Sequence, residues 1–144
     1  MHNEAACLDM IEIPIRWGDM DAYGHVNNTV YFRFFEEARV QWLERNGFRV
    51  DGKGHGPILL QTGCTFLRPI HYPETIWVST WCKEIGRTSF VVGHDVLSHN
   101  RETVYTEGFC KLVWLDHERH ASTPLPDTLL QLLQKSLQAR ARQS

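Results

Sequence analysis

Residues 17–45 read WGDMDAYGHVNNTVYFRFFEEARVQWLER, and a change of pattern inside this stretch decides the fold. From Gly18 to Asn28 the residues are turn formers and polar groups: two Asp, two Asn, two Gly and a His. From Thr29 to about Arg45 the period changes. Tyr31, Phe34, Phe35, Ala38, Trp42 and Leu43 recur at three- and four-residue spacing, with Arg33, Glu36, Glu37, Glu44 and Arg45 on other sides, the pattern of an amphipathic helix. Asn27, Asn28 or Thr29 can cap its start, and Gly47 is placed to stop it. The first turns are apolar almost all round, so this helix should be wrapped by other elements.

The chain on either side reads mostly as strands. Ile11–Trp17 alternates apolar and polar residues in its first half, and Pro14 fits an edge position. After the loop Asp51–Gly56, the segments Ile58–Leu67, Ile76–Ile85, Thr88–Leu97 and Thr103–Leu115 are β-prone and separated by turn residues. In the third-from-last pair of faces, Ile76, Val78 and Cys82 oppose Trp77 and Trp81; in the final strand Tyr105, Phe109 and Val113 oppose Val104, Gly108, Cys110, Leu112 and Trp114. The last three strands make an antiparallel meander. A second amphipathic helix over about 126–142 places Leu129, Leu130, Leu133 and Leu137 on one stripe. The expected architecture is α+β: an aromatic helix laid across a curved antiparallel sheet, within a single domain over 1–144.

Composition narrows the function. The 144 residues are 42% hydrophobic and 22% charged, with a net charge of −2, so neither intrinsic disorder nor sustained binding to nucleic acid or an anionic membrane is expected. No run of about 18 apolar residues occurs. Met1-His2-Asn3-Glu4 lacks the charge and apolar stretch of a signal peptide, which predicts a cytoplasmic chain. Cys7, Cys64, Cys82 and Cys110 form no C-x-x-C pair, so reduced thiols are expected, with Cys82 and Cys110 acting as small buried hydrophobes. No motif calls for a metal or other cofactor.

Chemistry concentrates in the polar loop. A helix N-terminus offers unpaired N–H groups and a partial positive charge, which favour an anion or a developing oxyanion. Asp21, seven residues before Asn28, can lie beside that terminus as a base or nucleophile. The residues alone leave a second reading open, in which the Asp and Asn residues only form turns and caps and His25 is an ordinary loop residue.

Residues 13–45 resemble the signature segment of the hotdog-fold acyl-CoA thioesterases, specifically the 4-hydroxybenzoyl-CoA thioesterase-like group. Asp19-Met-Asp21, Gly24, Val26, Asn28 and Tyr31 stand in the places of its D-x-D-x-x-G-x-V segment and aromatic helix. Arg68-Pro69, Tyr72-Pro73, Gly86–Phe90 and Leu115-Asp116 extend the likeness over about residues 10–116. His25-Val26-Asn27-Asn28 resembles the H-V-N-N run of acyl-carrier-protein and long-chain acyl-CoA thioesterases of the same fold.

The resemblance implies a hotdog fold of five or six antiparallel strands around a long central helix, assembled as a homodimer or homotetramer. It implies hydrolysis of an acyl-CoA to free acid and CoA without a cofactor. Asp21 is the implied catalytic carboxylate, attacking the thioester carbonyl or activating the attacking water, and the Asn28 N–H is the implied oxyanion donor. Asp19 is expected to serve the turn, and His25 and Asn27 to position substrate or water. Tyr31, Leu60 and Gly63 are expected to contact substrate, with Phe34 and Phe35 lining the acyl pocket beside Leu60. Arg87, with Lys83 and Arg101, is a candidate for the phosphates of CoA. Two other functions fit the same fold: a non-catalytic acyl-CoA-binding protein, and a hydratase or dehydratase acting through His25 and a carboxylate.

Overall fold

The computed structural model of the chain describes residues 6–142. Its strands are β1 (Cys7–Pro14), β2 (His55–Phe66), β3 (Thr75–Ile85), β4 (Ser89–Leu97), β5 (Val104–Asp116) and β6 (Ala121–Ser122); its helices are α1 (Val30–Arg45) and α2 (Asp127–Ala141). The sheet order is β1-β3-β4-β5-β2, with the short β6 added on β5, and every pairing is antiparallel. This is the expected helix across an antiparallel sheet, with β3, β4 and β5 as the meander.

The aromatic stripe of α1 explains the layer. Tyr31, Phe34, Phe35, Ala38, Trp42 and Leu43 are all buried against the inward residues of the strands. The strand faces divide as their alternation predicts: Ile76, Val78 and Cys82 are wholly buried under the helix, as are Cys110, Leu112 and Trp114 to within a percent. Close approach is built into β5 at Gly108, where a Cβ would stand 2.4 Å from the Phe35 ring. Phe35 therefore sits directly on the strand backbone, and a side chain at 108 would lift the helix off the sheet.

The far end of α1 is closed by α2. Leu129 and Leu133 have no exposed surface and join the core of Trp42 and Phe90. A bulge between Cys82 and Glu84 interrupts the β3–β4 register. At this point the Cys82 N–H donates to Ser136 Oγ at 2.9 Å, and the Ser136 hydroxyl donates to the Ala6 carbonyl. The C-terminal helix is thus stitched to its own sheet.

One boundary differs from the sequence reading. The first strand ends at Pro14, and Trp17–Asp19 forms a turn of 3₁₀ helix. The cause is Asp19: its carboxylate accepts the Arg16 N–H at 2.9 Å and the Arg16 guanidinium at 3.1 Å, which curls the chain before it can continue extended.

Candidate active site at the start of the central helix

The loop between β1 and α1 folds on itself through a bridge between Met20 and Val26. Asp21 N–H donates to the His25 carbonyl at 3.1 Å and Gly24 N–H to the Asp21 carbonyl at 3.1 Å. Gly24 has φ +84°, a left-handed conformation that glycine adopts without the usual penalty. The Val26 N–H then donates to the Ile70 carbonyl, anchoring the loop to the segment that precedes β3.

This geometry presents the two aspartates differently. Asp19 is 4% exposed and is consumed by its Arg16 contacts. Asp21 is half-buried, and each carboxylate oxygen holds one donor: the Tyr23 N–H at 2.9 Å on Oδ1 and Asn27 Nδ2 at 3.2 Å on Oδ2. The first contact is an Asx turn, the local bond that Asp makes most readily.

Asn27 is the hinge of the site. Its amide nitrogen donates to Asp21, while its Oδ1 accepts the Thr29 N–H at 2.9 Å and the Thr29 hydroxyl at 2.7 Å. Its backbone carbonyl accepts the Val30 N–H at 3.0 Å. One side chain therefore ties the carboxylate to the first turn of α1, a coupling that residue spacing alone does not reveal. The Thr29 and Val30 N–H groups are occupied, whereas the intervening exposed position before them, Asn28, has an N–H with no partner among the described residues. An open N–H at a helix start, one residue from the side chain that holds Asp21, is what an oxyanion requires.

His25 does not touch the carboxylate. Its Nδ1 lies 3.4 Å from the Val26 carbonyl, and its ring stacks on Tyr23 and meets His71 edge-on with centroids 6.1 and 6.3 Å apart. His71 in turn holds the Gly24 carbonyl through Nδ1 at 3.0 Å. No sequence pattern links residue 71 to this loop; only the packing before β3 brings it there.

The expected substrate contacts are not brought together. Tyr31 is buried between Phe34 and Phe66, and burial pushes its hydroxyl up from its ordinary value, so it belongs to the core. Phe35 is likewise wholly buried. Leu60 is 62% exposed and sits at a register shift between Leu59 and Gln61. Gly63 faces the other way: it pairs with Phe109, and its Cβ would stand 2.9 Å from that ring, on the sheet face opposite α1. Gly63 therefore cannot line a pocket with Phe34 or Phe35 of its own protomer. Arg87 lies in the β3–β4 turn, at the far end of β3 from the loop, roughly 35 Å away at the usual rise per strand residue. Lys83 and Arg101 rest over the Phe109 and Trp77 rings at 5.6 and 4.1 Å.

Depressions on either side of α1 bear on the site. One of about 400 Å³ lies toward β1 and includes Arg16, Val30, Phe34 and Glu37. The other, about 240 Å³, lies toward β2 and includes Phe32, Glu36, Arg39, Leu59 and Thr62.

Comparison with known proteins points to one family. A model described as the thioesterase-like superfamily matches residues 15–133. The 1,4-dihydroxy-2-naphthoyl-CoA hydrolase of a Synechococcus strain is 26% identical over 137 residues, covering 88% of each chain. Among solved structures, a thioesterase candidate from Pseudomonas aeruginosa superposes with a TM-score of 0.83 at 44% identity, covering 87% of this chain and 97% of its own. An acyl-CoA thioesterase candidate from Xanthomonas campestris gives 0.73 at 31% identity, covering 83% and 99%.

Proposed function

The chain belongs to the thioesterase-like superfamily and is a thioester hydrolase of the hotdog fold; from that premise we propose that Asp21 and the Asn28 N–H form its catalytic pair on an acyl-CoA. The observation that carries this is the Asn27 side chain, which holds Asp21 at 3.2 Å and the helix start at 2.9 Å at once. With the thioester carbonyl oxygen on the Asn28 N–H, Asp21 takes a proton from a water entering on its exposed side. The resulting hydroxide attacks the carbonyl carbon, the oxyanion collapses, and CoA leaves as a thiolate that is then protonated.

A homodimer completes this reading. β2 is an edge strand, and Ile58, Leu59, Leu60 and Phe66 along it, with Leu67 just beyond its end, are 40–62% exposed, an apolar edge that a lone protomer would leave open to aggregation. Two β2 strands paired antiparallel about a two-fold axis set the Phe66 end of one protomer, beside the loop, against the His55 end of the other. In that arrangement Arg87 serves the partner's site, and Leu60 serves the junction. The four free cysteines fit a reducing compartment, consistent with a cytoplasmic enzyme.

The test is thiol release from a panel of aromatic and aliphatic acyl-CoAs, followed with a thiol reagent, alongside sedimentation of the same sample. Hydrolysis of at least one member by a dimer or larger assembly is expected. Binding of acyl-CoA without thiol release would instead favour a sensor, and an active monomer would remove the β2 junction from the account.

A further inference from the structure

A charged group lies out of place in the wrapped helix. Arg39 of α1 is buried, with a side chain only 11% exposed. A guanidinium presents five N–H donors and stays charged at any relevant pH. Taking it out of water is costly unless those donors are met. The protein meets few of them. The Cys110 sulfur, a weak acceptor, lies 3.7 Å from one terminal nitrogen. A Glu36 oxygen lies 3.8 Å from the other, beyond a normal hydrogen bond, and that carboxylate is 62% exposed. The donors left over are not sealed off, because Arg39 lines the 240 Å³ depression between α1 and β2. Arg33 lines the same depression, so its charged residues sum to one net positive charge over Glu36.

The depression also lies on the line leading from the catalytic pair. Phe32, Phe35 and Arg39 recur at three- and four-residue steps along α1, so they share one side of the helix, and that side begins in its first turn, four residues after Asn28. Along the axis the start of α1 at Val30 and Arg39 are roughly 14 Å apart at the helical rise, and a helical side chain leans back toward the N-terminus, which shortens the gap. Phe32, 37% exposed, gives the intervening stretch an apolar wall.

We infer that Arg39 is a specificity residue that receives a carboxylate at the distal end of the acyl group, so that the enzyme prefers ω-carboxyacyl-CoA thioesters to neutral acyl chains of equal length. This rests on the thioesterase reading, with the carbonyl at Asn28 and the acyl group running along α1 past Phe32. The acyl carboxylate would supply the strong acceptor that Cys110 and Glu36 do not, in a charge-assisted pair.

The experiment compares adipyl-CoA and suberyl-CoA with hexanoyl-CoA and octanoyl-CoA, on the wild-type protein and on Arg39→Met. Methionine keeps an unbranched chain of similar reach, and exchanging a buried ion for an apolar residue is often tolerated. The wild-type protein should have the higher kcat/KM on the acidic member of each pair. Arg39→Met should lose at least about 10-fold on the acidic substrates while neutral substrates stay within a few-fold. Wild-type preference for the neutral member at both lengths overturns the inference, whether or not the variant folds. Equal losses on both substrate types also overturn it, since the anion held would then be a CoA phosphate or the role merely structural. If no thioester is cleaved, the thioesterase reading fails instead, and the anion site is decided by melting: adipate, but not hexanoate, should raise Tm of the wild-type protein and leave Arg39→Met unmoved, and no adipate effect would overturn the site itself.

Discussion

The two ends of α1 are built to opposite specifications. At its C-terminal end Trp42 and Leu43 are 1% exposed, and Leu129 and Leu133 of α2 close the core over them. At its N-terminal end Asn28 and Thr29 are exposed, Asp21 is half-buried, and the contacts are single hydrogen bonds that side chains of one loop accept from its backbone and from each other. One end spends its residues on excluding water, the other on placing polar groups where water and a substrate can reach them. The difference teaches that stability and chemistry can be altered separately along a single helix. Substitutions at the closed end should move Tm and leave kcat alone, and substitution of Asp21 at the open end should do the reverse.

The largest effect is expected at the closed end. Leu133→Ala removes a side chain with no exposed surface and should cost about 2–5 kcal/mol in urea unfolding, with kcat unchanged below the melting transition. A matching loss of kcat in folded protein would show that the two ends are coupled.

A somewhat smaller effect is expected from acid. His94 is fully buried, stacked on Phe35 at 5.1 Å, with Nδ1 between Thr80 Oγ1 and the Ser79 carbonyl. Burial, with the Arg39 charge adding a little and the Ser79 carbonyl opposing, pushes its imidazole down from 6.5 to about 4. Between those values the unfolded chain binds a proton that the folded chain does not, so stability is full above about pH 6.5 and falls as pH drops toward 4. The loss attributable to this group is on the order of 3 kcal/mol. Unfolding midpoints of the wild-type protein and His94→Gln at pH 7 and pH 4.5 check it. Parallel losses in both would assign the acid sensitivity to other groups.

Within the open end, Asp19 repeats the contrast on a smaller scale. Asp19→Asn weakens the bonds that curl residues 16–19 and should cost about 1–3 kcal/mol of stability, with kcat reduced only modestly. The smallest effect is expected at His25, which touches no oxygen of Asp21. His25→Gln should change kcat by less than about 3-fold; a fall as large as that of Asp21→Asn in folded protein would restore His25 to the chemistry.

How much of this was legible in the sequence follows from the range of each interaction. The helix over Val30–Arg45 and the strand faces are written in residue periodicity, and the aromatic excess in its first turns announced a wrapped helix. That Asp21 and Asn28 share one loop was legible in the sequence; that the Asn27 side chain ties Asp21 to the first turn of α1 was not. The end of β1 was not, because the chain leaves the strand for an Asp19–Arg16 interaction that competes with alternation. Nor was the face taken by Gly63: it depends on the register shift between Leu59 and Gln61 and on the Phe109 ring across the strand. The roles of Asn27, His71 and Arg39 depend on partners chosen in three dimensions, and a helical Arg reads as solvated until its neighbours are known.

The most direct test of the account is the turnover of Asp21→Asn on the best acyl-CoA substrate, with a thermal melt to establish that the variant is folded. Asparagine keeps the size and the Tyr23 contact but cannot accept a proton from water. The account predicts a fall in kcat of about 10² or more with KM within a few-fold. Near-native kcat in a folded Asp21→Asn protein would contradict it and shift the catalytic assignment to another carboxylate or to His25.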